Sequence, residues 1–134
     1  MLSALNADKV CFLITKIREF DVQVEENTGG GSDASDDKFV AVFNDDPNTS
    51  VKSEIQGFIT AMDVDERLEL IALSMVGRGD YAPAEWAEAM EAARSRPEPS
   101  TAKFLLENPL ASDDLEEGLS LFGLSCEAFD ADRL

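Results

Sequence analysis

Histidine is missing altogether from this chain of 134 residues. That removes the commonest general base, the commonest metal ligand and the usual partner of a serine or cysteine nucleophile. Cysteine is scarce: Cys11 and Cys126 stand near opposite ends without CxxC spacing, which fits neither a zinc site nor a disulfide scaffold. Reduced thiols are therefore expected, with Cys11 acting as a small hydrophobe in an apolar helical run. The N-terminus lacks a basic segment leading into an apolar one, and no apolar run nears the roughly 20 residues that span a bilayer. A cytoplasmic protein is expected on those grounds. Basic residues are few as well, 11 Lys and Arg against 28 Asp and Glu, for a formal net charge of −17. Such a field repels phosphate backbones and anionic headgroups, so neither nucleic acid nor membrane is expected as a partner. A protein partner, basic where it docks, suits the field better.

What the chain does have is apolar residues, 44% of the total. That is enough to bury a core without disulfide or metal staples, and the length suits one domain over 1–134. Val10, Leu13, Ile14, Ile17 and Phe20 recur at three- and four-residue spacing and predict a first helix from about Ala7 to Phe20, with Asn6 as N-cap. Residues 25–37 (EENTGGGSDASDD) carry no apolar period and three consecutive glycines, so a mobile acidic loop is expected there. The run Phe39 to Phe43 has strand propensity but no second strand to pair with. It predicts an extended or single-turn segment over the core, or an edge used in self-association. A monomer or weak homodimer is expected.

A second helix is predicted from Ser50 to Met62. Asp63 and Glu66 then have capping-box spacing, so a third helix starts at once. Leu68, Leu70, Ile71, Ala72, Leu73, Met75 and Val76 leave that helix, about 64–76, without a polar face, which marks it as the buried centre of the fold. Gly77 is expected as its C-cap. A fourth helix begins around Pro83 and runs to about Ser95, a fifth covers Ser100 to Glu107, and a sixth, capped by Ser112, covers Asp113 to Phe122 with Gly123 as terminator. The fold class is all-α: a compact bundle of five or six helices around the third.

Candidate chemistry is thin. Asp33, Ser35 and Asp37 imitate the first, third and fifth positions of an EF-hand loop, but Lys38 stands where glycine is needed and Asn44 where a bidentate glutamate is needed. Glu85, Glu88 and Glu91, like Asp113, Glu116 and Glu117, share helix faces, yet they lie opposite the apolar stripes and are expected to be solvated rather than desolvated acid–base pairs. Asp63 with Arg67, and Glu91 with Arg94, have the spacing of helix ion pairs. No catalytic residue, metal site or cofactor is expected. Arg78, Tyr81 and Trp86 gather about one turn, and arginine with aromatics is the composition of a binding hot spot. They are the candidate partner-binding residues. Two functions follow: a non-enzymatic protein-interaction module with an acidic surface, or a regulatory domain binding a small ligand or cation at the Arg78–Trp86 turn.

The stretch Asp63 to Trp86 (DVDERLELIALSMVGRGDYAPAEW), followed by Phe104-Leu-Leu and Leu115-Glu-Glu-Gly-Leu, resembles a family of small acidic helical proteins of unknown function, chiefly from alphaproteobacteria. The resemblance spans about Leu5 to Phe129. It implies an intracellular helical domain and brings no activity, cofactor or catalytic residue. That family often has tryptophan at the position of Met75, so the resemblance assigns no role to an aromatic there.

Overall fold

A computed structural model describes residues 2–29, 47–96, 100–127 and 129. Among these residues six α-helices follow one another: α1 (Ala7–Gly29), α2 (Pro47–Thr60), α3 (Val64–Arg78), α4 (Trp86–Ser95), α5 (Thr101–Leu106) and α6 (Ala111–Leu121), with a 3-10 turn at Pro83–Glu85 before α4. No strand occurs among the described residues. The fold is the expected all-α bundle.

Its centre is α3. Every residue from Glu69 to Val76 is buried, because the helix packs on α6, α4 and α5 around its circumference. Its start is the expected capping box. The Glu66 amide donates to Asp63 Oδ1 at 2.8 Å, and the Asp63 amide donates back to Glu66 Oε1 at 3.0 Å. This satisfies two of the amides that a helix N-terminus leaves without partners. On the other side of the molecule α1 lies between α6 and α2. Its stripe Val10, Leu13, Ile14 and Ile17 meets Val51, Ile55 and Ile59 of α2 and Leu115 and Leu119 of α6 in the main core cluster.

Two glycines set the distance between α3 and α6. A β-carbon on Gly77 or on Gly118 would run into the backbone of the opposite helix, so neither position admits a side chain at this separation. The C-cap of α3 is accordingly Gly79, not Gly77. Gly79 has φ 97°, in the left-handed region glycine occupies without strain, and its amide donates to the Met75 and Val76 carbonyls. Gly123 ends α6 in the same conformation, with φ 78°.

Other expectations shift. α1 continues past Phe20 to Gly29, so residues 25–29 of the expected loop are helical. The remainder of that loop, the EF-hand-like positions and the segment Phe39 to Phe43 lie outside the described residues. α6 starts at Ala111, and Ser112 is buried within its first turn instead of capping it. The chain enters α6 through a turn in which Asn108 Oδ1 accepts the Leu110 amide at 3.0 Å. The cysteines are not free thiols: Cys11 and Cys126 form a disulfide, their Cα atoms 5.6 Å apart. Helical packing brings together residues whose 115-residue separation carries no sign of proximity.

Candidate functional site

Arg78, Tyr81 and Trp86 are brought to one end of α3, where each has an intramolecular partner. The exposed Arg78 guanidinium donates through Nε to Asp80 Oδ2 at 2.9 Å. Tyr81 is half-buried against Ile71 and Met75 on one side and Ala72 and Val76 on the other. Trp86 stands edge-on to Phe122, ring centroids 5.3 Å apart, in the T-shaped geometry aromatic quadrupoles favour. The turn is thus closed by an ion pair and by two aromatics that cover the core.

The basic residues of α1 are drawn inward by neighbouring helices. Lys9 pairs with Glu66 of α3. Lys16 reaches Glu54 of α2 at 3.0 Å and Glu19 at 3.6 Å, and the hydrogen bond to Glu54 raises its pKa above the usual lysine value. Arg18 reaches Glu116 at 2.8 Å and Asp113 at 3.1 Å on α6; the bond to Glu116 is the main cause of its raised pKa. Several carboxylates on other elements face water instead. Asp65 is exposed in the first turn of α3, and Glu85, Glu88, Glu91 and Glu117 are exposed, as their positions opposite the apolar stripes predict.

On the outer side of α6 this acid meets exposed apolar surface. Leu110 is 57% and Leu121 45% exposed. With Glu117 they stand seven and four residues apart, a spacing that sets all three on one side of a helix. The opposite side of α6 is spent on the core through Ala111, Leu115, Gly118 and Leu119.

A second surface has the reverse polarity. The end of α2, the start of α3, the end of α4 and the start of α5 enclose a cleft of about 410 Å³. Arg67, Arg94 and Arg96 line it, half of the six arginines in the chain, and no Asp or Glu among the described residues does so. Arg67 projects here instead of pairing with Asp63, whose carboxylate is used by the capping box. Among the described residues Arg67 makes no ion pair. Arg94 keeps only the exposed helix pair with Glu91, at 3.4 Å, a kind of contact worth little in water. Arg96 lies over the Phe104 ring, 4.5 Å from its centroid, and reaches the Ser100 carbonyl at 3.4 Å. Leu68 and Ile71 form the apolar floor, and Thr101, 8% exposed, adds a hydroxyl. The sequence marked Arg67 and Arg94 only as members of helix ion pairs and Leu68 and Ile71 only as core. The lining comes from four elements, so no local spacing points to the cleft.

No cluster of three or more metal-ligating side chains occurs among the described residues, and none of their helices is long and apolar enough to cross a membrane. Compared with family models, residues 52–124 match the one described as "Protein of unknown function (DUF3775)". The chain belongs to that family. The match takes in most of α2 and all of α3 to α6, together with the arginine cleft, the Arg78–Trp86 turn and the outer side of α6. It leaves out α1 and both cysteines. No curated protein and no solved structure matches the chain.

Proposed function

We propose that this family member is a non-enzymatic protein-interaction module that receives a basic, amphipathic segment of a protein partner on the outer side of α6. The observation that carries the reading is the pairing of exposed Leu110 and Leu121 with Glu117 on one helix face. Two large apolar side chains held in water favour association, and the carboxylate field around them selects a cationic partner over an anionic one. The net charge of −17 adds long-range attraction toward the same class of partner. The Arg78–Trp86 turn has less to offer as a docking or ligand site, since its arginine is occupied by Asp80 and its aromatics cover the core.

The test is capture of binding proteins on the intact chain at low and physiological salt, beside a variant carrying Leu110→Ser and Leu121→Ser. A partner lost with the double substitution and weakened by salt supports the reading. A bound set indifferent to both changes overturns it.

A further inference from the structure

We infer that the cleft between α2, α3, α4 and α5 binds a small organic anion, an oxyanion head held by Arg67 and Arg94 with an apolar body laid against Leu68 and Ile71. The inference is independent of the α6 docking surface. It starts from an imbalance. The chain has 28 acidic and 11 basic residues, yet Arg67, with no ion pair among the described residues, and Arg94, with only an exposed helix pair, line this one concavity together. A surface charged by chance in this composition would be acidic. Concave walls of low polarizability also concentrate the field of the arginines, so the potential inside departs from that of the surrounding surface.

The donor set suits an oxyanion. Guanidinium groups present planar forks of N–H donors that fit carboxylate and phosphate oxygens in pairs. The Arg67 fork has no competing carboxylate among the described residues. Thr101 is nine-tenths buried and lines the cleft, and its hydroxyl has no partner among the described residues, so it has a donor to offer. Arg96, stacked on Phe104, closes one side of the cleft, its place fixed by the ring. The volume of about 410 Å³ falls within the range of about 300–1,000 Å³ common for small-molecule sites. A polyanion is excluded as occupant, because anything larger than the cleft would meet the acidic surface outside it.

The experiment is amide chemical-shift mapping on the full chain with phenyl phosphate, benzoate, inorganic phosphate and uncharged benzyl alcohol. The expected result is saturable shifts at Arg67, Ile71 and Thr101 with phenyl phosphate or benzoate. Preference between those two tells whether the head is a phosphate or a carboxylate. Inorganic phosphate should bind more weakly and benzyl alcohol not at all. Arg67→Gln should weaken binding about tenfold, the loss expected for one charge-assisted contact. Arg94→Gln, at an exposed position, should weaken it severalfold and decides the matter if the Arg67 variant does not fold. Shifts that never saturate, that are equal with benzyl alcohol, or that survive the arginine substitutions unchanged would overturn the proposal.

Discussion

Gly77 of α3 lies directly on the backbone of Asp114 in α6: a β-carbon built on it would stand 1.7 Å from the Asp114 carbonyl oxygen. Gly118 repeats the contact in reverse, 2.6 Å from the Leu73 carbonyl oxygen. Intrinsic helix propensity alone favours Gly→Ala by about 1 kcal/mol in a helix interior. Here the obstacle is main chain, which cannot rotate aside, so the helices must part and give up core contacts. Gly77→Ala is expected to lower unfolding free energy by at least about 2 kcal/mol, within the usual range for overpacking. Gly57, in α2 with nothing within 4 Å of its virtual β-carbon, is the control: Gly57→Ala should stabilise by about 0.5–1 kcal/mol. Chemical denaturation of both variants measures the contrast, and equal signs would refute the close approach.

Glu69 is a buried carboxylate, 3% exposed, on the central helix α3. It accepts the backbone amides of Ser3, Ala4 and Leu5 at 2.9–3.1 Å and the Ser3 hydroxyl at 2.8 Å. It therefore anchors the segment leading into α1 and repays its desolvation through charge-assisted hydrogen bonds. Glu69→Ala should cost about 2–4 kcal/mol, because it strands several donors at once. Hydrogen exchange at Ala4 and Leu5 should accelerate before the global transition. Unchanged protection there would show that the anchor is not formed.

The helical plan was legible where one local rule decided each element. Asp63 and Glu66 have a spacing whose only economical use is a capping box, and the run Leu68 to Val76 has no polar side to expose. Features made by distant residues were not legible. Gly77 and Gly79 are equally good C-caps by composition, and the approach of α6 decides between them. Glu69 looks like one more charge until residues 3–5 fold over it. The arginines of the cleft share no spacing, since four elements deliver the lining. Past Phe20 the apolar stripe fades while the helix continues to Gly29, which hid the last part of α1.

Acid sensitivity should trace in part to Glu66. Its pKa lies below the ordinary value of 4.5, chiefly through the hydrogen bond from Lys9 and then through the Asp63 amide. A folded-state pKa below the unfolded one means that the stabilisation is complete above the unfolded value, around pH 4.5, and is lost as pH falls through the lower folded value. Glu66→Gln should therefore flatten the acid limb of the stability curve below about pH 5 relative to the native chain. Lys9→Met should flatten it too, by removing the main cause of the depression. Denaturation midpoints at several acidic pH values give the comparison, and parallel curves for all three proteins would exclude this pair as a source of the acid response.

The disulfide makes the last prediction, and it joins the two parts of the chain that the family match leaves out. Cys11 is on α1 and Cys126 beyond α6, so the bond staples α1 to the C-terminal segment beside it. Closing a loop of 115 residues removes chain entropy from the unfolded state, worth about 4–5 kcal/mol on the simplest loop model and commonly about 2–4 in practice. Reduction, or Cys126→Ser, should lower unfolding free energy by about 2–4 kcal/mol. The loss should appear first as faster hydrogen exchange in α1, because α3, α4 and α6 keep their mutual packing. Thiol titration of the unfolded chain without reductant should find no reactive cysteine, and two after reduction. Two free thiols at the outset, with the stability of the Cys126→Ser chain equal to that of the parent, would show that α1 is held by packing alone.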